Sequence, residues 1–427
     1  MLKIFEAFSG YGSQSIALKQ ANIPHEVVGI SEVDVDATIS YAILKGVDID
    51  KPLDVSIDDA REYLLQRNIG LDFKTNKSKI PTLNKRKLTQ LYNATMICNN
   101  FGDISILDVE RLPDLDFFTY SFPCQDISVA GHGLGLSKGS NTRSSLLWEC
   151  SKIIEHKNPK YLLMENVKNL VSKKHIHNFN SWLDFLSDLG YKSYWQVLNS
   201  KDYGVPQNRE RVFVVSILGE HDEYAFPKAQ PLENCLRDIL EQKVDDKYYA
   251  SSEAIKRFVS FPKNRLTSTY RVVGTTAPNP FDAEGNIIFD KCTRNWVYDP
   301  EGNMSTLSAT DYKQPKQILE PIPIRLGGIF DDDKGRHQAG SIYSVNGLSP
   351  TIDTGQGGWR QPCIFVNGVP FRIRKLTPIE CFRLQGVRSA DTKKLMDNNI
   401  SNTQLYKLCG NAITINVLVG IYENLFK

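Results

Sequence analysis

The chain has 427 residues, enough for two domains each with a buried core. Its 41% hydrophobic and 23% charged content is that of a globular protein, and no apolar run approaches the roughly 20 residues of a membrane span. A net charge of +2 excludes a uniformly basic nucleic-acid-binding surface, so any such surface has to be local. Residues 2–8 form an apolar strand pattern. Ser9-Gly10-Tyr11-Gly12-Ser13 follows as a glycine turn, and residues 14–20 read as a helix. Strand, glycine turn and helix in that order present backbone N–H groups to a nucleotide-like ligand. A second strand, residues 26–31, ends at Glu32, where an acid can accept hydrogen bonds from ribose hydroxyls. The turn lacks the full G-x-G-x-x-G spacing, so it argues little for a pyrophosphate, and a tight turn alone reads the same way.

Residues 45–99 carry Lys74, Lys77, Lys79, Lys85, Arg86 and Lys87. This basic insertion reads equally as a phosphate-contacting surface and as a solvated excursion. The next strand, residues 116–120, leads into Phe122-Pro123-Cys124-Gln125, and a polar loop rich in glycine and serine follows. A thiol at a strand end beside such a loop is placed as a nucleophile. A lone cysteine is more often a small buried hydrophobe. Residues 161–164 form a strand that delivers Glu165 and Asn166 at its C-terminal edge, where open α/β sheets bind ligands; two polar residues closing a strand are the plain alternative. Gln207, Arg209 and Arg211 alternate at the start of an extended segment, so they share one face, as a ligand-facing row or as solvated side chains.

Up to Pro227 strands alternate with helices, residues 192–198 and 211–218 being the last strands, which is the pattern of a parallel α/β sheet. From 227 to 371 glycine, proline, asparagine and short extended runs predict a mostly β, irregular second domain. Within it residues 304–310 are weakly echoed by residues 348–354, as paired strand elements rather than a solenoid. Residues 414–426 read as an amphipathic helix folding back onto the first strands. Eight cysteines with no C-x-x-C pair predict a reducing, cytoplasmic setting and no metal site. No signal peptide is visible, and the motifs start at residue 4 and end near Lys427, so no regulatory or chromatin-reading domain is expected.

Phe8-Ser9-Gly10-Tyr11-Gly12, Phe122-Pro123-Cys124-Gln125, Glu165-Asn166-Val167, Gln207-Asn208-Arg209-Glu210-Arg211 and Gly410-Asn411-Ala412 together resemble, in order, the motifs of DNA (cytosine-5) methyltransferases of the bacterial and phage modification type. The resemblance covers the whole chain. Glu6, Ser9, Ser13 and Ser144 depart from the usual residues, each by a small change. The resemblance implies a Rossmann-like domain that binds S-adenosylmethionine (AdoMet), with a mainly parallel sheet, formed by residues 1–226 and completed by residues 372–427. Residues 227–371 would be a target-recognition domain, and residues 374–386 resemble the motif that follows it, with Pro378 in the first turn of a bracing helix.

The resemblance also implies the site. Phe8, Gly10, Tyr11, Glu32, Asp103, Ile104, Pro123, Leu146, Asn411 and Ala412 would hold AdoMet. Cys124 would add to carbon 6 of cytosine. Glu165, with a raised pKa, would hydrogen-bond ring nitrogen 3, and Arg209 and Arg211 would hold the exocyclic oxygen. The target base must leave the duplex, with residues 128–145 as the lid. Gln125, Ser128, Arg143 and Gln207 would contact DNA. Arg336, His337, Gln356, Trp359 and Arg360 have the chemistry to read base edges in the major groove. The expected partner is double-stranded DNA, with a monomeric enzyme and a separately acting restriction endonuclease. A tRNA cytosine-5 methyltransferase and a catalytically silent DNA-binding protein remain as alternatives on the same scaffold.

Overall fold

The computed structural model describes residues 1–72, 75, 77–123, 146–249, 259–260, 272–277, 281–282, 296–299, 303–308, 316–321, 325–328, 341–344, 363–365 and 371–427. Cys124, Gln125, Ser128, Arg143, Arg336, His337, Gln356, Trp359 and Arg360 lie outside the described residues, as do the expected lid and the second copy of the echo. The chain divides into two compact units: Met1–Asn234 with Ser305–Lys313 and Pro378–Lys427, and Cys235–Met304 with Gln314–Thr377. The first unit therefore takes in a short stretch, Ser305–Lys313, from within the interval that the sequence assigns to the second domain.

The first unit is built on a sheet of β1 (Leu2–Ala7), β2 (His25–Ser31), β3 (Phe117–Tyr120), β4 (Tyr161–Val167), β5 (Tyr191–Asn199) and β6 (Glu210–Leu218), in the order β2-β1-β3-β4-β6-β5. The first four run parallel. Their central members are apolar throughout, as strands covered on both faces must be: all of β3 is buried, and β4 is buried from Leu162 to Asn166. The last pair accounts for the sheet being mainly, not wholly, parallel, as expected. β6 is antiparallel to both β4 and β5. Only residues 200–209 connect β5 to β6, too few for the helical crossover that a parallel return needs.

Helices cover both faces. α1 (Ser13–Gln20) follows β1, and α2 (Val35–Lys45) follows β2. α2 has a complete set of local signals. Asp34 Oδ1 accepts the N–H groups of Asp36 and Ala37 at its start, and Gly46, at φ 80°, ends it. The insertion contributes α3 (Ile57–Leu65) and α4 (Lys85–Ile97). Lys87 pairs with Asp36 of α2, and Arg86 with Asp50, so part of its basic charge is answered within its own unit.

α5 (Leu147–Lys157) and α6 (Ile176–Asp188) pack Leu147, Cys150, Ile154, Phe179, Trp182 and Leu186 onto Phe118, Tyr120, Met164 and Val212. Each such side chain contributes roughly 1.5–3 kcal/mol by leaving water. Phe117 points to the other face, as the strand pleat requires. There it meets Tyr422 and Phe426 edge-on, from the last helix.

The C-terminal return comprises α7 (Pro378–Arg383), α8 (Ser389–Asp397), α9 (Asn402–Asn411) and α10 (Ile415–Phe426). The stretch Asn402–Phe426 is long and apolar enough to cross a membrane, but it is broken between α9 and α10 and 72% buried in the protein, which its packing explains. In the second unit, the described strands form a sheet of Val259–Ser260, Val272–Thr275, Trp296–Tyr298, Gln317–Pro321 and Phe371–Lys375, and another of Arg325–Gly328, Ser341–Ser344 and Cys363–Phe365.

Candidate active site

The turn from β1 to α1 is built on left-handed backbone. Phe8 (φ 55°), Gly10 (φ 56°) and Gly12 (φ 89°) alternate along it. Glycine takes this conformation freely, whereas a residue such as Phe8 holds it at a cost of roughly 1–2 kcal/mol. A side chain at Gly12 would also meet the Tyr41 ring at 2.7 Å. The turn folds over the tip of β2, with Phe8 N–H donating to Ser31 O (2.7 Å) and Gly10 N–H to Glu32 Oε2 (2.9 Å). Glu32 Oε1 accepts the N–H groups of Val33 (2.9 Å) and Asp34 (2.8 Å). Burial and the neighbouring Asp34 push the Glu32 carboxyl up, against those three N–H groups. Asp34 in turn accepts Lys407 Nζ from α9. Burial raises the Asp34 carboxyl, but Lys407 and the helix N–H groups outweigh it and hold it below its ordinary value.

These elements enclose a cavity of about 620 Å³ within the first unit. Phe8, Gly10, Tyr11, Glu32, Asp103, Ile104, Pro123, Leu146, Asn411 and Ala412 all line it, although residue numbers 8 and 412 lie at opposite ends of the chain. Its size falls in the range of roughly 300–1,000 Å³ for small-molecule sites. Ser9 Oγ and Gln14 Oε1 also line it, and both are buried with no hydrogen-bond partner among the described residues. Buried polar atoms without a partner are rare, and here they face a cavity that a polar ligand can enter.

Glu165, Arg209 and Arg211 line the same cavity. Glu165 lies near the end of the buried run of β4, and its Oε1 lies 3.1 Å from Arg211 Nε. Burial raises the Glu165 carboxyl, and Arg211 and then Arg209 offset only part of the rise. Asn166, next in line, donates its amide to Phe122 O (3.0 Å). That bond fixes the end of β3 one residue before Pro123, which is on the cavity wall, and two before Cys124. The sequence marks Asn166 as a polar group at a ligand-binding strand end and within a motif, but does not show its partner. Its partner is 44 residues away, and only the parallel pairing of β3 and β4 brings the two together.

Gln207 differs from expectation, and Arg209 has protein partners besides facing the cavity. Gln207, expected to contact DNA, is wholly buried: its amide donates to Leu384 O (2.7 Å) and its Oε1 accepts Leu307 N–H (3.0 Å). Arg209, expected to hold a substrate oxygen, is also buried. It donates to the carbonyls of Leu307 (2.9 Å), Ala412 (2.6 Å) and Gly410 (3.4 Å). The alternation that places Gln207, Arg209 and Arg211 on one face is real. Returning chain covers that face at Gln207; Arg209 is gripped by the returning carbonyls and still lines the cavity, as Arg211 does.

The family model for C-5 cytosine-specific DNA methylases matches residues 67–427. The chain is 40% identical over 433 aligned residues to the type II methyltransferase M2.ScrFI of Lactococcus lactis subsp. cremoris, covering 100% of this chain and 99% of that one. It is 30% identical to the orphan methyltransferase M.SssI of Spiroplasma monobiae, over 99% of this chain and 97% of the relative. It is 27% identical to the orphan methyltransferase M.SPRI of Bacillus phage SPR, with the same coverage. Among solved structures, the Dnmt2 methyltransferase of S. pombe shares the fold, with a TM-score of 0.54 at 16% identity over the full length of both chains.

Proposed function

Because this chain belongs to the C-5 cytosine-specific DNA methylase family, we propose that it transfers a methyl group from AdoMet to carbon 5 of a cytosine rotated out of duplex DNA, through a covalent adduct with Cys124. The observation that carries this reading is one cavity shared by two groups of residues. At one end stand Glu32, at the tip of β2, and Asp103, at the start of a short 3-10 turn, acids suited to ribose and adenine. At the other stand Glu165 and Arg211, with Pro123, the residue before Cys124 in the sequence, on the wall. The ten wall residues from Phe8 to Ala412 would hold AdoMet, and the unpartnered Ser9 Oγ and Gln14 Oε1 fit its polar atoms. AdoMet supplies an electrophilic methyl sulfonium.

The protein's own groups do the rest. Carbon 5 of cytosine is a weak nucleophile until a thiolate bonds to carbon 6. Cys124 forms that bond, and the ring gains negative charge as it does so. Glu165, whose carboxyl burial pushes up, donates in its protonated form to ring nitrogen 3 and neutralises the charge. Arg211, held against Glu165, faces the exocyclic oxygen. Arg209 acts one step back, fastening Gly410 and Ala412 to the catalytic strand. After transfer, a base, for which water suffices, takes the carbon 5 proton as the bond to Cys124 breaks and its electron pair returns to sulfur, which restores the ring.

The second unit supplies sequence recognition in this reading. The relatives named as type II and phage orphan methyltransferases support a restriction-modification or phage self-protection role, for a monomer in the cytoplasm acting apart from any nuclease. A duplex carrying 5-fluorocytosine tests the mechanism, because fluorine cannot leave as the carbon 5 proton does. With AdoMet present, a covalent protein–DNA adduct that survives denaturation is expected with the wild type and none with Cys124→Ser, which still binds DNA. No wild-type adduct would overturn the mechanism.

A further inference from the structure

We propose that Asn68, in the insertion after α3, is a positioning residue that orients Asp103 for the adenine ring, so that the insertion is part of the cofactor site. The inference rests on the AdoMet reading above. Asn68 has φ 51°, the left-handed conformation that ends a helix, and its N–H donates to Leu65 O. Capping α3 accounts for that backbone but not for the side chain. Asn68 Nδ2 donates to Asp103 Oδ2 at 2.9 Å, and the direction of the bond is certain in chemistry because a carboxylate only accepts.

Asp103 is gripped from three sides. Its N–H donates to Arg67 O (2.9 Å). Its Oδ1 accepts the N–H (3.0 Å) and Oγ–H (2.8 Å) of Ser105, and its Oδ2 accepts Asn68. Ser105 alone would leave the carboxylate free to pivot about Oδ1; Asn68 holds the second oxygen. Oδ1 is filled by its two donors from Ser105, whereas Oδ2 retains a lone pair for a further donor, and Asp103 lines the cavity. The two segments are also fitted to each other sterically. Gly102 has φ 76°, and a side chain there would come within 2.2 Å of Arg67 O. A second contact docks the same excursion beside the other acid of the wall: Gly70 N–H donates to Val33 O at 2.7 Å, one residue from Glu32. The insertion thus touches the cavity wall next to both acids. That is a third role beside the phosphate-contacting and solvated readings of its basic sequence.

The test measures binding of S-adenosylhomocysteine by titration calorimetry on the full chain, with Asn68→Gly and Asn68→Asp. Glycine accepts φ 51° without strain, so Asn68→Gly removes the side chain and keeps the turn. Its affinity is expected to fall roughly tenfold, the loss of one hydrogen bond to a charged group. Asn68→Asp sets a second carboxylate against Asp103 and should bind more weakly still. The AdoMet KM should rise in the same proportion, with kcat at saturating AdoMet and the KM for DNA unchanged. Affinity equal to wild type in both variants, or a lowered melting temperature with unchanged affinity, would overturn the proposal. A wild-type protein that binds no S-adenosylhomocysteine would overturn the AdoMet reading itself, and this inference with it.

Discussion

Glu32 and Glu165 occupy equivalent places, each at the C-terminal end of a parallel strand, Glu32 half-buried and Glu165 buried, and each with its carboxyl pushed up by loss of water. Their surroundings differ. Glu32 is held by three backbone N–H groups, from Gly10, Val33 and Asp34. Those donors belong to the fold and do not move. Glu165 is answered by a side chain, Arg211, at 3.1 Å. A carboxylate fixed by backbone is suited to hold a neutral ligand in one orientation. A buried carboxylate whose rise is only partly offset by side-chain charges is suited to change its protonation during a reaction. The same residue type thus serves binding on β2 and chemistry on β4, and its donors decide which.

The largest expected effect separates the two by rate. Glu165→Gln should lower kcat by roughly 10²-fold or more, because an amide can donate to ring nitrogen 3 but cannot pass a proton to it. The sign of the pH dependence follows from the raised carboxyl. The protonated form is the active one, so the wild-type rate is sustained below the raised pKa and falls as pH rises through it. In Glu165→Gln that alkaline limb should vanish from the pH profile. An unchanged kcat, or an alkaline limb that survives the substitution, would remove Glu165 from the chemistry.

How much of this contrast is legible in the sequence depends on how far apart the partners lie. The turn at Phe8 to Gly12, the caps of α2 and the strand ends at Glu32 and Glu165 are local, and all ten residues expected around the cofactor line one cavity. The roles of Gln207 and Arg209 are set at long range. Their partners Leu307, Leu384, Gly410 and Ala412 lie 98 to 203 residues away, and period-two alternation says only that a face is shared, not what covers it. Asn68 is hidden for the same reason, since Asp103 is 35 residues beyond it. The antiparallel β6 is a different case. The short link from Asn199 to Glu210 carries the signal, and the alternation of strands and helices upstream masks it.

A smaller effect should sharpen the comparison from the binding side. Glu32→Gln keeps one acceptor oxygen and turns an NH₂ group toward a backbone N–H, so at least one of its bonds is lost. A hydrogen bond to a charged group contributes roughly 1.5–3 kcal/mol, so AdoMet KM should rise about tenfold or somewhat more. Turnover at saturating AdoMet should change little. The two substitutions then split cleanly, one in kcat and one in KM. Loss of kcat in Glu32→Gln equal to that in Glu165→Gln would mean that the two acids do not have separate roles.

The smallest effect on turnover is expected at a third acid, Glu6 on β1. It is wholly buried, does not line the cavity, and burial pushes its carboxyl from 4.5 up to about 7, with Tyr41 beside it pulling the other way. The native state therefore binds this proton more tightly than the unfolded chain. The resulting contribution to stability is fully present below the unfolded value of 4.5 and is lost as pH rises through about 7, a change of at most about 3 kcal/mol. Glu6→Gln should flatten that fall: its melting temperature should exceed that of the wild type by a few degrees at pH 8, with the gain gone near pH 4, and kcat should be unchanged. Parallel melting profiles for the two proteins would show that Glu6 carries no such linkage. A loss of turnover like that of Glu165→Gln would show that burial of a strand carboxylate is enough for a catalytic part. The expected result assigns that part to the open cavity and the Arg211 guanidinium, which Glu165 has and Glu6 lacks.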